Sequence, residues 1–332
     1  MNIVVIGLGS MGKRRIKLLN QYIQQKASKN EEWKIVGVDA NPKRCNECYN
    51  LFNIQTYSSI KEAVNNNLFN AAIISTPPLS HAEIIRICLE ANLHIFTELN
   101  LVDNGYEENI LLAHKKKKVL FLSSTFLYRK ETEYIKKRTQ EVHFHGMYQY
   151  HVGQYLPDWH PWESYKDFFV EKKESNGCRE LFAVELPWLI DTFGEVKSFH
   201  SIHRKITNLE INYDDGYQVM IEHESGVIGC LLIDIVTPNV GRKFEMWQEH
   251  FCILWEGSPD TLLEYNETLK KMIPVVVCAS YEHEKDYNHS IVEDAYYDEL
   301  TNYIEVVKGE REAKYSFEQD KKVLALINEI EK

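Results

Sequence analysis

Apolar positions follow two different patterns along the chain, and the change between them falls near residue 124. In the first third, short apolar runs alternate with segments whose apolar residues recur at helical spacing, such as Ile84, Ile85 and Cys88. The runs lie at residues 3–6, 34–38, 71–74, 93–96 and 119–122. Strands that alternate with helices predict a parallel sheet with helices on both faces.

The second pattern is typical of antiparallel strands. Residues 142–152 alternate strictly between two faces, and further strands are predicted at residues 218–222, 227–236 and 244–256. Short turns, such as Ser225-Gly226, would join them. At the C-terminus the spacing predicts helices again, and Ser316 with Gln319 predicts a capping box.

These patterns predict an α/β protein with two domains. Residues 1–123 would form a doubly wound parallel sheet, and residues 124–332 an α/β domain with a large, mostly antiparallel, open-faced sheet. Exposed sheet faces of this size usually need cover. We therefore expect a homodimer or homotetramer that associates through the C-terminal sheet.

Composition narrows the classes of function. The 332 residues include 49 acidic and 38 basic side chains, a net charge of −11, which argues against the broad basic face of a nucleic-acid binder. We expect no membrane association, because no apolar run approaches spanning length. The first residues form a strand without a basic leader, and the seven cysteines are an odd number for a disulfide framework. A cytoplasmic location is therefore expected.

A G-x-G-x-x-G motif directly follows the first predicted strand and opens a helical segment, which is the setting of a dinucleotide-binding Rossmann turn. The first glycine allows the tight turn, the second lets the backbone approach a pyrophosphate, and the third lets the helix pack on the sheet. Free N–H groups at the helix start would face the phosphate charge. The predicted phosphate-binding residues are Gly7, Gly9, Ser10, Met11 and Gly12.

Lys13, Arg14 and Arg15 fall in the first helical turn, where cations oppose the helix dipole. A bound anion would offset that cost. The alternative is a solvated basic face.

Asp39 ends the second predicted strand, where an acidic side chain can accept hydrogen bonds from the adenosine ribose. The same carboxylate would repel a 2′-phosphate, so NAD is favoured over NADP. Lys43 and Arg44 lie near enough in sequence to keep NADP possible. The alternative for Asp39 is an N-cap of the next helix.

Several segments together resemble the Gfo/Idh/MocA family of sugar and cyclitol oxidoreductases over nearly the whole chain. They are residues 3–19, 75–81 (Ser-Thr-Pro-Pro-Leu-Ser-His), 94–98 (His-Ile-Phe-Thr-Glu), 128–129 (Tyr-Arg), 153–159 (Gly-Gln-Tyr-Leu-Pro-Asp-Trp) and 193–196 (Phe-Gly-Glu-Val). The middle of the chain looks like members associated with nucleotide-sugar or nonulosonic-acid pathways. The resemblance implies that NAD(P) lies across the strand ends, with a sugar between the nicotinamide and the second sheet. It implies further cofactor-binding residues at Thr76, Pro77, His81 and Glu98.

The chain departs from this family at the residues that usually move the substrate proton. Family members follow the glutamate with Lys-Pro, whereas Leu99 and Asn100 follow Glu98 here. The family histidine falls on Val184, or on Trp188 in another register, and the family aspartate falls near Glu180 or Leu181. Because positioned acid–base catalysis contributes about 10²–10⁴-fold, another residue must supply it or turnover is lost.

Carboxylates and a histidine are candidates for that proton transfer. One of Glu180 and Glu185 would act as a base if burial raised its pKa, or both are ordinary surface carboxylates. His160 is a candidate because histidine titrates near neutrality. Arg179 would clamp a substrate phosphate or carboxylate, or pair with one of these glutamates.

Substrate binding is assigned to aromatic and basic residues. Tyr155, Trp159 and Tyr165 would stack on sugar faces or pack a small core under a loop. The resemblance adds Arg129 as a substrate candidate. His143, His145 and His151 share a strand face, but no cysteine or aspartate has a fitting spacing, so no metal site is expected.

The sequence thus favours an NAD(P)-dependent oxidoreductase that acts on a sugar or nucleotide sugar by hydride transfer, with non-standard proton-transfer residues. The alternative is a catalytically inactive dinucleotide-binding sensor or assembly subunit, which Leu99 and Val184 would explain. The sequence leaves open whether the site turns over.

Overall fold

The computed structural model describes residues 1–28, 31–159, 163–278 and 292–332. The chain divides into two compact units. Unit 1 comprises Met1–Ser124 and Tyr296–Lys322, and unit 2 comprises Thr125–Ala295 and Val323–Lys332. The division expected from the sequence, between residues 123 and 124, does not include this return of the chain to the first unit near its end.

Unit 1 contains a six-stranded parallel sheet with the strand order β3-β2-β1-β4-β5-β6. The strands are β1 (Asn2–Ile6), β2 (Lys34–Val38), β3 (Gln55–Tyr57), β4 (Ala71–Ile74), β5 (His94–Thr97) and β6 (Leu120–Leu122). Ile6 pairs with both Val38 and Ile74, so the carboxyl ends of the three central strands lie side by side. The strand order reverses between β1 and β4, the position where α/β sheets bind ligands. The predicted parallel sheet is confirmed.

The helices of this unit connect successive strands. They are α1 (Ser10–Gln25), α2 (Pro42–Phe52), α3 (Ile60–Asn66), α4 (His81–Glu90) and α5 (Tyr106–Lys116). Local sequence sets several of their ends. Asn41 caps α2 by accepting from the Lys43 backbone N–H at 2.9 Å, and Pro42 occupies its first position.

Unit 2 contains an eight-stranded sheet with the order β14-β13-β12-β11-β7-β10-β9-β8. The strands are β7 (Met147–Gly153), β8 (Val196–Arg204), β9 (Gly216–His223), β10 (Ile228–Asp234), β11 (Gly241–Gln248), β12 (Phe251–Trp255), β13 (Leu263–Asn266) and β14 (Lys271–Pro274). Only β7 and β10 pair in parallel, so the mostly antiparallel sheet is confirmed.

Two strand boundaries differ from the prediction. The first unit 2 strand starts at Met147 instead of residue 142, because helix α6 (Lys130–Glu141) runs up to Val142 and His143 takes a left-handed conformation with φ +48°. The strand expected over 244–256 is a hairpin of β11 and β12, which turns at His250 with φ +62°. Neither turn has the glycine that marks most such positions.

The core of unit 2 lies between the sheet and helix α7 (Gly177–Phe193). Alternate residues of β7 point to this side, and Tyr148 and Tyr150 are buried. The Tyr150 ring meets Trp188 of α7 edge-on, at a centroid distance of 5.5 Å. Aromatic packing of this kind fixes the helix against the sheet.

Two helices close the chain, α8 (Glu293–Lys308) and α9 (Phe317–Ile330). The predicted capping box of α9 is confirmed, because the Ser316 N–H donates to Gln319 Oε1 at 2.9 Å and the Gln319 N–H donates to Ser316 Oγ at 3.2 Å. Residues from Tyr296 to Lys322 belong to unit 1, and residues from Val323 onward belong to unit 2.

Candidate cofactor and substrate sites

The glycine turn joins β1 to α1 in a conformation that only glycine accommodates. Gly7 has φ +89°, and a Cβ there would lie 2.5 Å from the Ser75 carbonyl oxygen. A Cβ on Gly12 would lie 1.9 Å from the Gly7 carbonyl oxygen. Gly9, by contrast, has no atom within 4 Å of its Cβ position. The turn is therefore closely packed at Gly7 and Gly12, whereas the space beside Gly9 is open.

The start of α1 fits a phosphate. Gly9 is its N-cap and provides no side-chain hydrogen bond to the first N–H groups, which belong to residues such as Ser10 and Met11. Helix-start N–H groups without a cap partner bind anions well, and the helix dipole adds to the attraction. The first turn can thus hold the diphosphate of a dinucleotide.

Asp39 is held against the glycine turn. Its Oδ2 accepts from the Leu8 backbone N–H at 2.8 Å, and its Oδ1 accepts from the Asn41 N–H at 2.8 Å. The Asp39 side chain is 9% exposed, and its Oδ2 lies 3.7 Å from Nη1 of Arg44. Because Asn41 is the residue that caps α2, the N-cap alternative for Asp39 is wrong. A carboxylate oxygen accepts more than one hydrogen bond, so both retain capacity for ribose hydroxyls.

Arg14 and Arg15 are not a solvated basic face. Arg14 is 7% exposed and Arg15 is fully buried. Arg15 forms a two-pronged ion pair with Glu98, with Nε–Oε1 and Nη2–Oε2 distances of 2.7 and 2.8 Å, and its Nη2 also lies 2.7 Å from Glu299 Oε2. The solvated-face alternative is therefore wrong for Arg15, whose partners are carboxylates of the protein. Lys13 pairs with Glu47 at the surface.

Glu98 is fixed at the end of β5. Besides Arg15, it accepts a hydrogen bond from Ser75 Oγ at 3.2 Å, and its side chain retains 14% exposure. Glu299, from α8, is fully buried and accepts from Ser123 Oγ and the Ser124 N–H. Burial raises the pKa of Glu299, although Arg15 opposes the shift. Glu98 is thus a preoriented, partly accessible carboxylate.

His81 supports the loop that carries Thr76 and Pro77. Its Nε2 lies 2.7 Å from the Thr76 carbonyl oxygen, and its Nδ1 lies 2.6 Å from Asn100 Oδ1. The ring is 2% exposed, and burial lowers its pKa. Both nitrogens are used inside the protein, whereas Thr76 remains partly exposed and Pro77 exposed. The loop itself is therefore the part that can meet a ligand.

Glu180 lies in the first turn of α7 and is not an ordinary surface carboxylate. The residue keeps some exposure, but Oε2 is shielded from solvent and has no hydrogen-bond partner among the described residues. Burial raises the pKa of this carboxyl from 4.5 to about 7. A group that titrates near neutrality can both take and give a proton, which suits acid–base chemistry.

Glu185, one and a half turns further, is a fully buried structural carboxylate. It accepts from Tyr150 Oη at 2.7 Å, from Trp188 Nε1 at 2.8 Å and from Arg242 Nε at 2.8 Å. The expectation of a surface position is wrong for Glu185 as well. Arg242 lies on β11, and no local signal in the sequence connects it to this helix.

Arg179 does not pair with Glu180 or Glu185. Its Nη1 lies 2.5 Å from Glu331 Oε2, and its side chain is 6% exposed. Arg129 is also buried, at 2% exposure, and donates to Glu131 at 2.5 Å and to the Gly257 carbonyl oxygen at 2.9 Å. Both predicted substrate-binding arginines therefore have partners within the protein.

Two of the three predicted aromatic residues line a small cavity. Trp159 and Tyr165 border it, whereas Tyr155 is not part of the lining. Trp159 Nε1 donates to the Gln154 carbonyl oxygen at 3.0 Å, and Tyr165 Oη accepts from the Glu210 N–H at 3.2 Å. The other lining residues are Leu156, Glu163, Ser164, Phe168 and Val170. His160 lies outside the described residues.

Three further observations concern general chemistry. Within the described ranges, no three His, Cys, Asp or Glu side chains form a group suited to a metal ion. All seven cysteines are free thiols. Among the helices of the described residues, none is long and apolar enough to span a bilayer.

Comparison with known proteins identifies the class of the N-terminal domain. Residues 1–124 match the GFO_IDH_MocA family model, described as an oxidoreductase family with an NAD-binding Rossmann fold. The resemblance inferred from the sequence and an NAD-binding domain are thereby confirmed for residues 1–124. No curated protein sequence matches the chain significantly.

Solved structures share the fold over nearly the whole chain. The WlbA dehydrogenase from Bordetella pertussis, in complex with NADH and UDP-GlcNAcA, has a TM-score of 0.75 at 16% identity and covers 99% of this chain and 94% of its own. UDP-N-acetylglucosamine 3-dehydrogenase GnnA from Acidithiobacillus ferrooxidans has a TM-score of 0.72 at 13% identity, and the match covers 100% of this chain and 96% of that protein. Biliverdin reductase from Synechocystis, in complex with biliverdin and NADP+, has a TM-score of 0.76 at 13% identity, and the match covers 99% of this chain and 97% of that protein. At such identities the likeness establishes the fold.

Proposed function

We propose that the protein is an NAD-dependent oxidoreductase that transfers hydride to or from a carbinol carbon of a sugar or nucleotide sugar. The observation that carries the proposal is the glycine turn, open at Gly9 and flanked by Asp39, whose carboxylate is fastened to the Leu8 N–H. NAD would accept or supply the hydride when bound. The same carboxylate disfavours a 2′-phosphate, so NADP is the weaker cofactor.

Glu180 is the proposed proton-transfer residue. In the oxidative direction, the substrate hydroxyl loses its proton to the Glu180 carboxylate while its carbon loses hydride, and the alcohol becomes a carbonyl. The reverse direction returns the proton from the carboxylic acid. Support comes from the Oε2 atom, which has no competing hydrogen bond among the described residues, and from a pKa raised to about 7. This role replaces the titratable groups absent at Leu99 and Val184.

A nucleotide sugar is the preferred substrate class. WlbA was crystallised with a UDP-sugar, and GnnA is named for one. In this chain, Trp159 and Tyr165 border a cavity of only about water size, so their support for this substrate class comes from their aromatic rings, which stack well on sugar faces. Biliverdin reductase shares the fold, so the proposal depends on these residues more than on the fold.

Purified protein, NAD or NADP and a panel of UDP-sugars provide the test. We expect a change in reduced-nicotinamide absorbance with at least one sugar, larger with NAD, and its loss in Glu180→Gln. NAD binding by calorimetry without turnover on a broad panel would favour the inactive sensor instead, which the apolar side chains of Leu99 and Val184 would then explain. Absence of NAD binding would contradict both.

We also propose that the protein is a homo-oligomer that associates through the outer face of the unit 2 sheet. Met147 pairs with Ile228 on one side and with Trp247 on the other, so the three form a continuous apolar row. They are 44, 42 and 37% exposed. A row of this kind favours burial against a second copy.

The free cysteines support the expected cytoplasmic location.

A further inference from the structure

The last residues of the chain contact the start of α7, about 150 residues earlier in the sequence. Glu331 uses both carboxylate oxygens there. Oε1 accepts from Asn176 Nδ2 at 2.8 Å, and Oε2 accepts from Arg179 Nη1 at 2.5 Å. Asn328 Oδ1 accepts from Arg179 Nη2 at 2.7 Å. These three bonds join the C-terminus to the two residues that organise the helix start.

The contact is largely excluded from solvent. Asn176 is 1% exposed and Arg179 5%, and the Glu331 side chain is 16% exposed. Charge-assisted hydrogen bonds in such surroundings are stronger than those at a surface. Residues 323–332 are therefore an ordered part of unit 2.

The same residues fix the turn that carries Glu180. Asn176 caps α7, because its Oδ1 accepts from the Arg179 N–H at 2.8 Å. Its backbone carbonyl accepts from the Glu180 N–H at 3.0 Å. Glu331 holds the side chains of both Asn176 and Arg179, so it holds the residue before Glu180 and the residue that caps the turn.

We propose that Glu331, assisted by Asn328, is a positioning residue that sets the location of the Glu180 carboxyl from the opposite end of the chain. This inference rests on the proposed function, in which Glu180 moves the substrate proton. Glu331 acts through Arg179 and Asn176 and needs no contact with substrate.

The surroundings explain why position matters for Glu180. The charged groups near the first turn include Arg179 on α7 and three carboxylates, which belong to Glu331, Asp215 and Asp234. These carboxylates help to raise the pKa of the neighbouring Cys178 thiol. For Glu180 itself, burial is the cause that raises its pKa. Loosening the turn would hydrate the carboxyl, and its pKa would fall toward the ordinary value.

The test uses Glu331→Ala, with Glu331→Gln as a milder variant that keeps the size of the side chain and one of its two hydrogen-bond acceptors. Glu329→Gln is the matched control, because Glu329 lies in the same segment and pairs with Lys332 at the surface. Each is made with Glu180 present and with Glu180→Gln. The pH dependence of the unfolding midpoint, compared within each pair, reports the titration of Glu180 without any substrate.

We expect Glu331→Ala to lower the titration midpoint of Glu180 by about one pH unit, with a smaller shift in Glu331→Gln and none in Glu329→Gln. We expect kcat to fall roughly tenfold, a part of what acid–base catalysis contributes, with the KM for NAD unchanged. An unchanged Glu180 midpoint in both Glu331 variants would overturn the inference. Full activity of Glu180→Gln would instead refute the proposed role of Glu180, while the midpoint comparison would still report on Glu331.

Discussion

Replacing Glu180 with glutamine should make the protein more stable and less active at the same time. Burial raises the pKa of Glu180 from 4.5 to about 7 in the folded state. Between these values the folded protein retains a proton that the unfolded chain has lost. The free energy of unfolding therefore decreases as the pH rises through this window.

The size of the effect follows from the two pKa values. Each tenfold difference in proton affinity corresponds to about 1.4 kcal/mol, so ionisation of Glu180 costs about 3 kcal/mol of stability once the pH exceeds its folded-state pKa. Glutamine resembles the neutral acid and has no such cost. At pH 8 we expect Glu180→Gln to unfold with a free energy about 3 kcal/mol higher than that of the unmodified protein, and at pH 4 the two should be equal.

Catalysis should change in the opposite direction, because glutamine cannot exchange a proton. We expect kcat to fall by about 10²–10⁴-fold. Denaturant unfolding at several pH values measures the free energy of unfolding, and nicotinamide absorbance measures kcat. If the stability difference were constant from pH 4 to pH 8, the Glu180 carboxyl would not be a buried acid and the reasoning would be refuted.

Four further predictions concern other residues. Glu185→Gln removes the carboxylate that Arg242 contacts and should lower the unfolding free energy by about 3 kcal/mol at neutral pH, in contrast to Glu180→Gln, as measured by denaturant titration. Arg15→Met leaves the buried Glu299 carboxylate and the partly accessible Glu98 carboxylate without their shared cation, and it should cost about 3–5 kcal/mol and weaken NAD binding, measured by thermal unfolding and calorimetry. Asp39→Ser should raise the ratio of NADP to NAD use by about tenfold, measured as kcat/KM, since the repulsion of a 2′-phosphate is removed. Ile228→Glu puts a charge in the apolar row of the sheet and should lower the molar mass measured by light scattering.

The parts of the molecule that the sequence predicted depend on local patterns. The parallel strands are continuous apolar runs, and the glycine turn has steric requirements that no other residue meets at Gly7 and Gly12. Strand ends were less predictable where the turn lacks glycine, as at His250 with φ +62°. Propensity rules favour glycine at a position of this kind, and the surrounding hairpin overrides that preference.

The buried charges were beyond the reach of sequence reasoning. Arginine is seldom fully buried unless it is paired. The sequence predicts a solvated face or a nearby anion for Arg15, and a ligand or a pair with one of two neighbouring glutamates for Arg179. Their carboxylate partners are distant in sequence. Arg15 meets Glu98 after 83 residues and Glu299 after 284, and Arg179 meets Glu331 after 152. Only the folded chain shows these pairs.

These pairings change how the missing family residues are interpreted. Basic side chains beside a candidate site suggest an anionic ligand, yet Arg15 and Arg179 each pair with a carboxylate that lies within residues 299–332. The C-terminal region therefore contributes one structural anion to each unit, Glu299 to unit 1 and Glu331 to unit 2. Glu180 is different, because its buried oxygen has no partner in the described ranges. A buried carboxyl oxygen without a protein partner reduces stability, and its retention fits the proton-transfer role proposed above for Glu180.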